Sequence, residues 1–372
     1  AMQRGCTGFV IDGAIRDVDE FQLILDEVLE LRSLYAVDVD ILVSTWEEDV
    51  DRYREVVDEY MSRGVKFVAS PSISEGGPAN VFRQWATLER GLSNIPSEAI
   101  VLKGRTDKFL IRRDIVEAFF RTVSTNPERL MLLNNRLAVE HASLTVPFMA
   151  KDMIYIGAPA AIRKTLSYSV RTKYVADAIF NGIGPECFLW LELASQDHDF
   201  LRIVGEIDLR KSSSALAGAG TDAEAFAAAY KNSDFKLKFM MMKWIGVFNS
   251  ELTFISDVLD VAEVESWLID EGSWKYITAD RSVFRMLEST VQANSDPKLL
   301  AREANSLVFG EVGPSQSTFD RVKTSRIITP DLIREAKSEG IEWEEAVKDM
   351  VMVPAGQVSL YIVTETFEQK EA

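Results

Sequence analysis

Thiols and imidazoles are scarce here: the 372 residues include two cysteines and two histidines. Cys6 and Cys187 stand far apart, which gives no disulfide framework and no thiolate metal site. Their number suits a reducing, cytoplasmic setting. His141 and His198 alone leave too little material for a zinc-type cluster. No apolar run reaches the roughly 18 residues of a membrane span, and no signal peptide is expected ahead of the first strand. Basic charge is also in deficit, with 41 Lys and Arg against 58 Asp and Glu and a net charge of -17. Nucleic acid is therefore not an expected partner, because neutralising phosphates needs a basic face. Docking on an anionic membrane would need a local basic patch against that background.

What is present is core material and order. At 47% hydrophobic residues, the chain can bury one large domain or two ordinary ones. Short apolar runs alternate with helical patterns through the first half. Strands are expected over 6–12 (CTGFVID), 39–46, 65–70 and 98–107, with helices over 19–35 and 47–64 and a Gly-Pro loop followed by a helix over 74–95 between them. The second of these helices is closed by Gly64 at its C-terminus. Such alternation implies βαβ units and a mostly parallel sheet sandwiched by helices. Further strands or strand-loop units are expected at 128–137 and 152–162, a helix at 184–196 and a strand at 200–209. Residues 211–230, rich in Ser, Ala and Gly, read as a linker. The division expected is 1–210 as the α/β domain and 231–372 as a mixed, largely helical accessory region ending in a strand at 358–367. Within it, FKLKFMMMKWIGVF (235–248) fits a core element with Met filling gaps better than an interfacial segment near a lipid-linked acceptor.

In open α/β sheets ligands bind beyond the carboxyl ends of the strands. Those ends are Asp12-Gly13, Ser44-Thr45-Trp46, Ser70-Pro71 and Arg105-Thr106-Asp107. Lys103, Arg105 and Asp107 lie two apart on an extended segment and so share a face. A guanidinium or a metal there could stabilise a departing diphosphate; the alternative is a structural ion pair. Asn80 and Arg83 open a helix after Gly76-Gly77-Pro78, where anions are favoured. Asn80 serves equally well as a plain N-cap. Ser44, Thr45 and Glu47 could read a base or ribose, with Trp46 packing beneath them. Asp12 is either a ligand contact or a turn residue, and Gly13 permits a tight turn. Glu186 begins a helix after Gly184-Pro185 and is either a general base or a charge suited to the helix dipole. Asp152 is its alternative as base. The Asp-His-Asp triplet at 197–199 reads as a polar turn rather than a ligand set, His141 as structural or an acceptor contact, and Cys187 as a small buried hydrophobe.

The ordered set VIDGAIR, DILVSTWEED, NVFRQWATLERGL, VLKGRTDKFL and DMIYIG resembles the WavE-type lipopolysaccharide-synthesis proteins over about residues 6–200. Those proteins are taken to be glycosyltransferases of the GT-A class. The resemblance implies a nucleotide-sugar donor bound at the ends of the first, second and fourth strands by Asp12, Gly13, Ser44, Thr45, Asn80, Arg83, Lys103, Arg105 and Asp107. It implies a glycan or glycolipid acceptor, Glu186 in the usual place of the base, and Mn2+ or Mg2+ on Asp107. The class pattern at the fourth strand is Asp-x-Asp, however, and this chain has Arg105-Thr106-Asp107. Asp12 likewise replaces a neutral amide of the family pattern. A nucleotidyltransferase on a related sheet and a non-catalytic nucleotide-sugar-binding module are the competing readings.

Overall fold

The computed structural model describes residues 7–74, 80–107, 112–143, 145–151, 153–166, 214–220, 222–262, 267–271, 274–279, 281–296, 327–328, 330–344, 350–355 and 358–363. The chain divides into two compact units. The first comprises 1–142, 150–167 and 248–265, and the second comprises 143–149, 168–247 and 266–372.

Unit one is an α/β layer structure on a seven-stranded, mostly parallel mixed sheet. Its strands are β1 (Thr7–Asp12), β2 (Asp40–Trp46), β3 (Lys66–Ser70), β4 (Ile100–Arg105), β5 (Leu137–Val139), β7 (Tyr155–Gly157) and β8 (Leu252–Phe254), in the order β3-β2-β1-β4-β7-β5-β8. The two-residue β6 (Ala142–Ser143) lies outside this sheet; β7 is antiparallel to both β4 and β5, so β5 runs in the same direction as β4. The order reverses between β1 and β4, which pair in parallel with Asp12 opposite Arg105. Asp12 also stands opposite Ser44 of β2.

The two faces of this sheet are built from different chemistry. Phe9, Ile11, Ile41, Val43, Ile100, Leu102 and Ile156 point to one side, where α1 (Val18–Leu34) and α5 (Arg113–Thr125) bury them in one apolar cluster. Asp17 caps α1 by accepting from the Asp19 and Glu20 amides, both at 3.0 Å. The other side carries Val10, Asp12, Leu42, Ser44, Lys103 and Tyr155, which share it by register. It is covered by α4 (Val81–Leu92). A Cβ at Gly91 would lie 3.0 Å from Val10 Cγ1 and 3.1 Å from Ser44 Cβ, so the missing side chain sets how closely α4 approaches. Beside it, Arg163 of α6 (Pro159–Leu166) donates to Glu89 of α4 at 3.0 Å.

Several expectations change here. The segment 47–64 is two helices, α2 (Glu47–Arg52) and α3 (Arg54–Ser62), broken at Tyr53, while Gly64 does close the second with φ +88. The first half of 128–137 is a 3-10 helix, Pro127–Leu133, not a strand. Its buried Leu130 and Leu133 are three apart, matching three residues per turn, and Met131 and Leu132 face out. Residues 152–162 hold β7 and the start of α6.

Unit two contains α7 (Ala223–Lys231), the hairpin of β9 (Trp267–Glu271) and β10 (Trp274–Ala279), α10 (Arg281–Ala293), α11 (Pro330–Ser338), and an antiparallel sheet in the order β11 (Ile327–Ile328), β13 (Val358–Val363), β12 (Met350–Ala355). The stretch expected as a linker is helical at 214–217 and again from Ala223 onward, and Phe226 and Tyr230 of α7 are fully buried. Ala favours helix, and the two rings, four apart, meet face to face at 6.2 Å. Burial pushes the Tyr230 hydroxyl up to about 12, against a lowering by its hydrogen bond with Ser295. Helix α8 (Phe235–Glu251) buries Leu237, Phe239, Met240, Met241 and Trp244, the core role favoured for 235–248, and the short α9 (Ile255–Val258) follows β8 in the chain. Among the described residues no helix is long and apolar enough to cross a membrane. The expected helix at 184–196 and strand at 200–209 lie outside the described residues.

Candidate functional site

The strand ends of unit one are sewn together by a few short bonds. The Gly13 amide, with φ +121, donates to Ser44 O at 3.1 Å. A side chain there would crowd Thr106 Oγ1 at 3.3 Å, so glycine fits both the backbone angle and the space. Thr106 Oγ1 donates to Ala14 O at 2.7 Å, and its amide donates to Asp12 O at 3.3 Å. Asp49 of α2, buried, accepts on one oxygen from both the Ile15 amide and Thr45 Oγ1, each at 3.0 Å. The β1–α1 turn, the β2–α2 junction and the end of β4 thus form one braced edge.

Four of the expected donor contacts face inward at this edge. Lys103 is fully buried, its Nζ 3.2 Å from Asp12 Oδ1 and 4.8 Å from the centre of the Tyr155 ring. Thr87 Oγ1 of α4 lies 3.4 Å from the other Asp12 oxygen, and Ser44 Oγ donates to Thr87 O at 2.6 Å. Thr45 is bonded to Asp49, as above. Asp12, Ser44 and Lys103 therefore build the polar interior beneath α4, and Thr45 anchors α2. Trp46 is buried, as its expected packing role requires.

Arg83 and Arg105 reach outward, Arg105 over a largely sheltered Asp107. Arg105 grips Asp107 bidentately, Nε to Oδ1 at 3.0 Å and Nη2 to Oδ2 at 3.3 Å. Arg16, on the β1–α1 turn, adds a contact from Nη1 to Asp107 Oδ2 at 3.4 Å. Arg83 is exposed and donates to Ile73 O at 3.1 Å and Ser74 O at 3.4 Å, holding the segment after β3. A shallow depression of about 570 Å³ lies there, lined by Ser72, Ile73, Ser74 and Phe82. Asn80 precedes α4 in the left-handed conformation, φ 62, and its side chain makes no cap bond. Of the two readings of Asn80, the side-chain cap is thus not the one seen. Glu186, Asp152, Cys187, His198 and the Asp-His-Asp triplet lie outside the described residues.

Residue reading missed three participants. Arg16 carries no spacing signal, since its partner Asp107 is 91 positions on. Thr87 sits mid-helix and matters only because α4 covers this face. The third is Glu140, which follows β5 at the same edge of the sheet. Its Oε1 is held by Arg112 Nη1 and by His141 Nε2, the latter at 3.0 Å. Its Oε2 is buried with no hydrogen-bond partner among the described residues. His141 is accordingly placed in a structural contact, buried beside this carboxylate.

The divalent ion implied by the GT-A resemblance does not fit these residues. An ion on Asp107 would sit about 2.1 Å from a carboxylate oxygen, beside both guanidiniums that already face that carboxylate. Like charges at that separation repel strongly in a partly desolvated site. Among the described residues, no group of three or more His, Cys, Asp or Glu is placed to hold a metal ion.

No protein-family model matches the chain, and no curated protein matches it.

Proposed function

We propose that this protein is a cytoplasmic glycosyltransferase of GT-A type, moving a sugar from a nucleotide-sugar donor to a surface-glycan acceptor of lipopolysaccharide or capsule. The observation that carries the reading is the edge at the β1/β4 reversal. There, outward-facing Arg105 and Arg16 flank one carboxylate on a chain of net charge -17. A crevice at such a reversal is the general ligand position of open α/β sheets, and the planar donor fork of a guanidinium there suits a phosphorylated ligand. The inward network of Asp12, Ser44, Lys103 and Thr87 supports the reading indirectly: it fixes the strand ends from which the outward groups project. Arg83 is the proposed further contact to the nucleoside diphosphate.

Transfer requires the anomeric carbon to exchange its bond to the diphosphate for one to the acceptor oxygen. The nucleoside diphosphate leaves with the electron pair, and the acceptor proton goes to a base. Glu186 is the proposed base, with Asp152 as its alternative. Contact with a membrane-borne acceptor would be peripheral. The test is a thermal-shift screen of nucleotides and nucleotide sugars, followed by product analysis with the donor that binds. Release of the nucleoside diphosphate with a glycosylated product supports the reading. Pyrophosphate release would make the chain a nucleotidyltransferase, and binding without turnover would make it a binding module.

A further inference from the structure

We propose that the strand-end site holds a diphosphate on the guanidiniums of Arg105 and Arg16 without a divalent ion, and that Asp107 is a positioning residue that braces both arginines. The nucleoside part of the ligand rests on the glycosyltransferase reading; the anion site does not.

The charge balance comes first. Both guanidiniums face the same carboxylate. Asp107 is nearly buried, its side chain 12% exposed, whereas Arg105 is 26% and Arg16 67% exposed. The anion of the trio is thus sheltered and the cations are presented. A carboxylate serving as metal ligand would be the presented group instead. Arg16 makes a single ion pair among the described residues, yet a guanidinium has five N–H donors in a planar fork that matches phosphate oxygens.

Preorganisation comes second. The bidentate grip on Asp107 fixes the plane of Arg105 at the end of β4. Thr106, between them in sequence, is bonded to Ala14 O and Asp12 O. That frame holds the turn carrying Arg16 against the strand end carrying Arg105. Arg105, held in place before the ligand arrives, loses little freedom on binding it, and Arg16 stands beside it at the same carboxylate. They also do the work asked of a metal in this reaction class, offsetting the charge that grows on the leaving diphosphate.

The experiment is titration calorimetry of the full chain with inorganic pyrophosphate and a set of nucleoside diphosphates, in chelator and then in excess Mn2+ or Mg2+. Pyrophosphate is expected to bind in chelator, with an affinity that the metals leave within about twofold. Arg16→Ala, at an exposed position that leaves folding intact, should weaken it about tenfold, and Arg105→Ala about 10- to 100-fold, the range of a lost charge-assisted bond. Asp107→Asn should weaken it about three- to tenfold through the loosened arginines, again with no response to metal. Binding that requires added metal, absence of pyrophosphate binding, or wild-type affinity in both arginine variants would overturn the proposal and leave the trio a structural ion pair. Pyrophosphate binding that follows the pattern while every nucleoside diphosphate fails would keep the anion site and remove the glycosyltransferase reading.

Discussion

The two faces of the central sheet solve the same burial problem differently. Beneath α1 and α5 the sheet presents Phe9, Ile11, Ile41, Val43 and Leu102, and stability there comes from apolar area and close packing. Beneath α4 the same strands present Asp12, Ser44 and Lys103, buried just as completely. A buried ion pair returns little or no net stability for its desolvation, but losing one partner is costly. The polar face is therefore hard to justify as a core and easier to justify as a rigid support for the edge beyond it. Leu102 and Lys103 are neighbours in β4, and they make the contrast measurable.

The largest effect is expected on the polar face. Lys103→Ala should destabilise the protein by about 3–5 kcal/mol, because it strands the Asp12 carboxylate. Adding Asp12→Asn should recover much of that loss, since the two residues are coupled. Leu102→Ala should cost about 2–5 kcal/mol through a cavity, and combining it with Asp12→Asn should be close to additive. Urea denaturation of the single and double variants measures both; additivity in the Lys103 pair would erase the distinction between the faces.

A smaller effect is expected at Gly91, where a methyl group would press on Val10 and Ser44. Gly91→Ala should cost about 1–3 kcal/mol from overpacking, partly offset by about 1 kcal/mol of helix propensity. Fully exposed helix glycines gain on the same change, so a more stable variant would mean α4 is free to move away from the sheet.

The smallest effect is expected at Tyr60 of α3, on the side of α1. Its hydroxyl donates to Gln22 O at 3.1 Å and to Asp26 Oδ1 at 3.0 Å. Burial, with the Asp26 bond and charge behind it, pushes its pKa up to about 12 from 10.0. A pKa raised in the folded state means the neutral hydroxyl is favoured by folding. Its contribution is then complete below pH 10.0 and lost as pH rises through about 12. Tyr60→Phe should cost about 1 kcal/mol at neutral pH and flatten the alkaline part of the stability profile. The remaining slope would belong to groups such as Tyr230, whose pKa is raised in the same direction.

The same contrast explains what the residues alone disclosed. The four parallel strands and their carboxyl ends were legible because βα alternation is local and periodic. The shared face of Lys103 and Arg105 was legible from strand period. Which of them a helix would cover was not, because Thr87 and Gly91 of α4 lie on a separate segment and reveal themselves only once packed. The reversed β7, placed between β4 and β5, was illegible for the same reason: three residues, Tyr155–Gly157, carry too little pattern to declare a direction. The pairing of Asp107 with Arg105 was legible from their spacing, but its second partner was not, since Arg16 reaches it from the β1–α1 turn.

The central claim is that the ligand edge of this protein is the end of β1 and β4. Hydrogen–deuterium exchange of the full chain, with and without the nucleotide sugar giving the largest thermal shift, tests it most directly. Added protection is expected to concentrate in residues 12–16 and 104–107, with the interior of α1 and α5 unchanged. Protection confined to other segments, such as the β11-β13-β12 sheet, would contradict the assignment of the site.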